Sequence, residues 1–259
     1  MKNPVILFRS DVDTKEELEI AKQVFPVTDS RVGLQERLVI ARYSALPYYR
    51  ELEKDLLAQG SRLVNSLREH NYIASFDYYY DVVDFTPKSW FRLQDVPKSG
   101  GPYILKGRTN SRKFDWNTMM FAKDWDACSA VYSRLMRDPL IGTQGIVIRE
   151  YADLKKLEIG LNDLPFSNEW RLFYYGKERL TYGFYWTISE EIGTMTPEGL
   201  AFADQCTEIV SQSASFFVLD IAEKTDGSWT LIEVNDGQMS GLSACPPLEL
   251  YESLRRLLK

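Results

Sequence analysis

The chain has 259 residues, 31 Lys and Arg against 37 Asp and Glu, a formal net charge of −6 and a single His. The acidic balance weighs against a protein whose main task is to grip a phosphate backbone, because that affinity comes from clustered Lys and Arg. One His excludes multi-His metal centres, so a metal here would need carboxylate ligands. Hydrophobic residues make up 44% of the chain, enough for a sizeable core in one large or two small domains. Cys128, Cys206 and Cys245 lie far apart without C-x-x-C spacing, which suggests neither a zinc site nor a disulfide framework. The opening MKNPVILFRSD meets a charge too early for a signal peptide, and no apolar run approaches the ~18 residues of a membrane span. The expectation is a soluble cytoplasmic protein.

Pro4 to Phe8 reads as a strand, followed by Asp11, Asp13 and Thr14. Thr14 and Glu17 have capping-box spacing, and Leu18, Ala21, Val24 and Phe25 mark one face of the helix that follows. Arg37 to Tyr43 is a second strand, leading to a helix that Pro47 opens and Gly60 ends. Residues 62–65 read as a third short strand, and Asn65 and Ser66 open a helix carrying Leu67, Ile73 and Phe76. Strands alternating with helices imply a parallel sheet with helices on its faces. The segments Phe85-Thr86-Pro87-Lys88 and Pro97 to Pro102 mark the best domain boundary. His70 falls in the third helix, where a lone His is more often structural, and Tyr78-Tyr79-Tyr80 reads as core and interface.

Tyr103 to Gly107 is a strand containing Lys106, and a Lys inside an apolar run needs an anionic partner or an escape to solvent. A phosphate would serve. The following TNSRK, with Arg112 and Lys113, reads either as a cover over that phosphate or as a basic surface turn. Cys128, Val131 and Leu135 define a helix face, and Gly145 to Tyr151 is a buried strand ending in Glu150. Glu169 to Lys177 opens a hairpin with Gly176-Lys177 at its turn. Glu169, Arg171 and Phe173 share a face there, where the charged two have ordinary cross-sheet pairing as the competing reading.

The most informative stretch is Ser215 to Asn235, two strand-like runs around Asp226-Gly227. A two-residue turn there pairs Thr225 with Ser228, Asp220 with Glu233, Leu219 with Val234 and Ile221 with Ile232. One face is then apolar, and the other carries Asp220, Glu233 and Asn235. Opposed carboxylates repel, and a divalent cation removes that cost. Asp, Glu and Asn oxygens are hard ligands suited to Mg²⁺. The competing reading is an amphipathic hairpin with a solvated acidic face, and a one-residue change in the turn would move Asp220 to the other face. The polar loop Asp236 to Ser243 contains two Gly and follows a strand end, a place where ligands bind. Neither a Cys nor a Ser has the local signature of a nucleophile.

The order of these parts resembles the ATP-grasp superfamily over roughly residues 65–245: YILKG, a polar loop, a helix, GIVIREY, NEWRLF, and a final VLDIA…LIEVND hairpin. It looks closest to the compact phage and bacterial clade named for its arginine and two lysines. The resemblance implies an α/β, ATP-grasp-like fold, with residues 1–85 as a Rossmann-like pre-ATP-grasp domain and residues 86–259 as the ATP-binding and catalytic domain. It implies that Lys106 contacts ATP phosphates, that Glu150 and Tyr151 form the adenine hinge, and that Arg171 stabilises transferred phosphoryl or acyl phosphate. Asp220, Glu233 and Asn235 would bind Mg²⁺. The phosphate-covering loop of the family is usually Gly-rich whereas TNSRKFDWN has no Gly, so Lys113 becomes a candidate contact. Spacing points to Glu158 as the ribose-binding acid, and neither Lys88 nor Lys98 is chosen as the second ATP lysine.

The implied activity is that of an ATP- and Mg²⁺-dependent carboxylate-amine ligase, with ATP, a small carboxylate and an amine (amino acid, peptide or polyamine) as partners and no membrane. The alternatives are a phosphotransferase acting on a hydroxyl or nucleic-acid acceptor, and a nucleotide-binding protein without turnover.

Overall fold

The computed structural model describes residues 2–9, 14–186 and 193–258. Lys2–Phe8 (β1), Val27–Thr28 (β2), Arg37–Arg42 (β3) and Arg62–Leu63 (β4) form a parallel sheet in the order β2-β1-β3-β4. Helices Lys15–Val24 (α1), Tyr49–Leu57 (α2) and Leu67–Ala74 (α3) alternate with them; α3 stops short of the expected Phe76, whose left-handed backbone (φ +65°) ends the helical run. Both faces of this sheet are covered, as its nearly continuous apolar strands require. Val5, Leu7, Val39 and Ala41 pack against Tyr49, Leu52 and Leu56 of α2, while Ile6, Phe8, Leu38 and Ile40 face the C-terminal part of the chain.

The capping box lies elsewhere than expected. Thr14 occupies the N-cap of α1, away from the extended backbone of a capping residue, and its side chain makes no capping bond; the Glu17 side chain that would complete the box is drawn into the interior. There it accepts from Arg42 Nε (2.9 Å) and Nη2 (2.7 Å) and from the Tyr251 hydroxyl (2.5 Å). A reciprocal box is formed instead at α3, between Ser66 and Glu69. Asp11 and Asp13 lie outside the described residues.

Ser89–Trp90 (β5), Tyr103–Gly107 (β6), Phe121–Ala122 (β7) and Ile146–Glu150 (β8) form an antiparallel sheet ordered β5-β8-β6-β7. Helix Trp125–Leu135 (α4) covers one face through Cys128, Val131 and Leu135, which pack on Leu105, Ile146 and Ile148. By alternation Ile104, Lys106, Val147 and Arg149 occupy the other face. Lys156–Ile159 (β9) and Pro165–Ser167 (β10) pair as a short hairpin beside it.

The third sheet is built from Glu169–Tyr175 (β11), Glu178–Phe184 (β12), Phe216–Glu223 (β13) and Trp229–Asp236 (β14), in the order β12-β11-β13-β14. Helix Pro197–Val210 (α5), which the sequence reading did not separate, is opened by a Thr196 cap and by Pro197. Its Ala203, Cys206 and Val210 share a core with Trp170, Leu172, Leu219 and Ile221. Helix Pro247–Leu257 (α6) contributes Leu250, Tyr251 and Leu254 to the core shared by the opposite face and the parallel sheet.

The β13–β14 hairpin keeps the expected opposition of Asp220 with Glu233 and of Leu219 with Val234, but reaches it by another route. Its loop has three residues, Thr225 to Gly227, closed by Lys224 N–H to Ser228 O (2.7 Å), with Gly227 at φ +83° as that loop requires. Ile221 therefore faces Leu231, not Ile232. A bulge at Ile232 then restores the register, so two one-residue departures cancel and Asp220 stays on the expected face. The Ile232 carbonyl, outside the ladder, accepts from Arg149.

Arg42 also donates to the Gly237 carbonyl (2.6 Å), which ties the parallel sheet to the loop after β14. Side-chain exposure at the Arg42–Glu17 pair is only 4% and 8%. Glu17→Ala strands a buried guanidinium, and the expected loss is about 3–5 kcal/mol, read as a lower urea midpoint at unchanged m.

Candidate active site

Antiparallel registers place Gly183, Arg171, Asp220 and Glu233 in one row across four strands. Arg171 grips Asp220 with two bonds, Nε to Oδ1 and Nη2 to Oδ2, each 2.8 Å, and its Nη1 donates to the Gly241 carbonyl (2.8 Å). Asn235 Nδ2 donates to Asp220 Oδ2 (3.0 Å). Glu233 receives Lys106, which reaches across from the β5–β8 sheet. The carboxylate repulsion inferred from the sequence is thus met in this structure by a cation for each acid. Gly183 makes room for the chain behind the row: a Cβ there would stand 2.3 Å from the Ala244 backbone.

A cleft lies between the two antiparallel sheets. Its apolar part is lined by Ile104, Trp116, Met120, Leu154, Leu164 and Ile232, and its polar part by Lys106, Lys113, Arg149, Glu169 and Glu233. Lys113 Nζ contacts the Tyr185 hydroxyl and sits 4.0 Å from the Tyr185 ring centroid and 5.2 Å from that of Trp186. Arg149 is buried, bonding Thr86 and, through Nε, Ser89 Oγ (3.1 Å) as well as the Ile232 carbonyl. Burial lowers the Lys106 ammonium although Glu233 works against it. Burial also opposes charge on Glu233, but Lys106, helped by Lys113 and Arg149, holds that carboxyl below its ordinary range. At Glu169 burial outweighs the pull of Lys113 and Arg171, with Asp220 and Glu233 adding to it, and pushes the carboxyl up to about 7. The cysteines are buried thiols, with Cys206 and Cys245 each pushed up to about 12 by burial, which suits packing and not nucleophilic chemistry.

Of the residues singled out in the sequence, Lys106, Lys113, Glu150, Tyr151 and Glu233 line this cleft. The N–H groups of Glu150 and Tyr151 already donate to the Lys88 and Pro102 carbonyls, at 2.9 and 3.0 Å. Glu158 is brought elsewhere: it is exposed on β9, opposite Phe166, and Lys156 lines the cleft instead. Lys88 and Lys98 are exposed, over the rings of Trp90 and Trp125. Arg112 is turned away to a bidentate pair with Asp138 (2.7 and 2.9 Å), which anchors the Gly-free loop through side chains. The sequence reading did not single out Arg149 or Tyr185, which meet Lys106 and Lys113 in the cleft. Arg149 was recognisable by the same signal as Lys106, a cation inside an apolar run.

Arg171 and Asn235 line a second cavity together with Ser44, Leu46, His70, Arg108, Thr109, Asp236 and Ser240. Ser44 and Leu46 follow the C-terminal end of β3, the end of a parallel strand where ligands bind. The Asp220–Glu233 pair therefore sits between two cavities.

Among the described residues no three His, Cys, Asp or Glu side chains form a metal cluster. The donor set of Asp220, Glu233 and Asn235 nevertheless fits a hard cation: two carboxylates directly opposed and an amide tied to one of them.

Two antiparallel sheets enclosing a cation-lined cleft, preceded by a parallel sheet, define an ATP-grasp fold. The chain belongs to the ATP-grasp domain, R2K clade family 3, whose model matches residues 95–254. Similar solved structures include a RimK domain protein ATP-grasp from Sphaerobacter thermophilus DSM 20745, at 16% identity and a TM-score of 0.62 over 99% of both chains. The ATP-grasp ligase PsnB, complexed with a phosphomimetic variant of its minimal precursor, Mg and ADP, is 13% identical with a TM-score of 0.60 over 100% of this chain and 99% of its own. D-alanine–D-alanine ligase from Bacillus anthracis, complexed with ATP, is 12% identical with a TM-score of 0.55 over 91% of this chain and 85% of its own. No curated protein compared with the chain matches it. No described helix is long and apolar enough to cross a membrane.

The raised Glu169 carboxyl yields a pH signature. Its folded pKa, about 7, exceeds the reference 4.5, so in that window the folded state binds more protons than the unfolded one and stability falls as pH rises. The loss is at most about 3 kcal/mol. Glu169→Gln should flatten this limb, measured as urea midpoints across a pH series from about 3.5 to about 8, one unit to either side of the window.

Proposed function

We propose that the protein is an ATP- and Mg²⁺-dependent carboxylate-amine ligase working through an acyl phosphate. The observation that carries this reading is the row Arg171–Asp220–Glu233, with Lys106 arriving from the facing sheet, at the wall between an apolar-to-cationic cleft and a second cavity. The apolar half of the cleft suits an adenine ring. With the N–H groups of Glu150 and Tyr151 committed, recognition of that ring falls to their carbonyls and to Ala152, which also lines the cleft. Lys106, Lys113 and Arg149 supply the positive wall a polyphosphate needs, without a protein nucleophile. Asp220, Glu233 and Asn235 would hold Mg²⁺, which neutralises phosphate charge when bound. Division of the chain near residue 85 into a preceding α/β domain and an ATP-binding domain is part of this proposal.

The substrate carboxylate attacks the γ-phosphate, ADP departs, and Arg171 faces the acyl phosphate. An amine then displaces phosphate. Two structural relatives, a D-alanine–D-alanine ligase and a ligase complexed with its precursor peptide, support amino acids or peptides as the acid and amine. The reaction is tested by ADP release in the presence of amino acids, peptides and polyamines, followed by the mass of the product. An amide is expected; a phosphorylated acceptor would mean a phosphotransferase. Glu233→Gln should reduce Mg²⁺-dependent ADP formation by about 10²-fold or more, the scale of losing a group that stabilises transition-state charge. Parent-like turnover in that variant would remove Glu233 from the metal set.

A further inference from the structure

The chain's one histidine is not used by the ligase reading. His70 is carried by α3, is 2% exposed, and lies flat on Tyr49 with ring centroids 3.9 Å apart and planes at 6°. Its Nδ1 is 3.0 Å from Asp236 Oδ2. The other oxygen of Asp236 accepts from Asn65 Nδ2 and from the Gln238 N–H, both at 2.9 Å. Asn65 is fixed in turn by the Phe216 backbone, donating to its carbonyl (2.6 Å) and accepting from its N–H (2.8 Å). Gln238 Nε2 donates to the Tyr49 hydroxyl (2.6 Å), which donates to the Asn65 carbonyl (2.7 Å). The imidazole is thus clamped on one side by a carboxylate and on its face by a ring that is itself held.

An ionised carboxylate can only accept, so Asp236 fixes the proton of the neutral ring on Nδ1. The lone pair is then on Nε2, for which no hydrogen bond is present among the described residues. The ring lines the second cavity, as do Arg171 and Arg108. Those guanidiniums can only donate. Asp236, the carboxylate on that wall, is occupied by His70, Asn65 and Gln238. Nε2 is therefore a nitrogen base held in place on a wall where the strong groups are donors.

We propose that the second cavity receives the amine and that His70 Nε2 takes the proton the amine must lose. The inference rests on the ligase reading. The incoming ammonium gives a proton to Nε2; the freed nitrogen pair forms the C–N bond to the acyl carbon. The C–O bond to the phosphoryl group breaks, its electron pair leaves with inorganic phosphate, and that phosphate takes the second proton the nitrogen gives up on becoming an amide. Asp236 is a positioning residue, keeping the tautomer and orientation of the ring.

Two measurements test this. Labelling the full chain with ¹⁵N-histidine gives one imidazole, and its neutral form should carry hydrogen on Nδ1 and none on Nε2; the opposite tautomer overturns the proposal without need of a variant. The second compares nucleophiles in the parent and in His70→Gln, with ATP, Mg²⁺ and the common amino acids as acids. Hydroxylamine is largely unprotonated at neutral pH and traps acyl phosphates as hydroxamates, whereas spermidine arrives protonated. The variant should lose amide formation with spermidine or amino-acid amines by about 10²–10⁴-fold, the scale of general-base catalysis, while hydroxamate formation stays close to the parent's. An equal loss with both nucleophiles would assign His70 to structure, and no loss with either would also overturn the proposal. A parent that forms neither ADP nor hydroxamate with any acid removes the ligase reading itself, a result distinct from an active parent whose variant shows no nucleophile dependence.

Discussion

The two-bond grip of Arg171 on Asp220 is the interaction around which the site is arranged. Asp220 is 1% exposed and stands directly opposite Glu233, so two acids share a water-poor face. Each is made tolerable by a cation from a different place: Arg171 from the adjacent strand, Lys106 from the facing sheet. Buried pairs of this kind contribute little net stability, because desolvation offsets the attraction, but removing one partner costs about 3–5 kcal/mol. Their effect is positional. The Lys106–Glu233 contact couples the two sheets across the cleft, and Arg171 is held where its third donor meets the Gly241 carbonyl of the loop after β14.

Much of this was legible in sequence because hairpin signals and alternation are local. Asp226-Gly227 marked the turn, alternation put Asp220, Glu233 and Asn235 on one face, and Lys106 stood out in an apolar run. The agreement in register is less direct than it looks. A two-residue loop was assumed and a three-residue loop is present, and only the bulge at Ile232 returns Asp220 to its partner. A bulge has no strong local code here. Its cause is tertiary: the Ile232 carbonyl it frees is bound by Arg149 from the other sheet. The same holds for Glu17, whose capping role was locally plausible and lost to a buried guanidinium 25 residues away.

The links that assemble the second cavity were not legible at all. Asn65 bonds the Phe216 backbone across 151 residues, Arg42 bonds the Gly237 carbonyl across 195, and His70 bonds Asp236 across 166. No periodicity or motif encodes such distances. They are set by the packing of the parallel sheet against β11 and β13, where Ile6, Phe8, Leu38 and Ile40 share a core with Phe173, Phe216 and Val218. The apolar contact between these sheets therefore determines where the polar groups meet, and the lone His, bland in sequence, becomes a cavity residue through it.

This arrangement bears on how a two-step reaction can proceed in one place. Arg171 is bonded to Asp220, the neighbour of the cleft-lining Glu233, yet its own side chain lines the second cavity. On the ligase reading, a phosphoryl group arriving at this row meets the substrate carboxylate there, and the acyl phosphate forms beside Arg171. The amine approaches from the cavity that His70 and Asn235 also line. The intermediate then has no distance to travel between the two half-reactions, and positioning alone supplies part of the barrier reduction by making the second attack effectively unimolecular. A site built this way needs its acids paired, its cations fixed and one base oriented, which is what the row across β12, β11, β13 and β14 and the clamp on α3 provide.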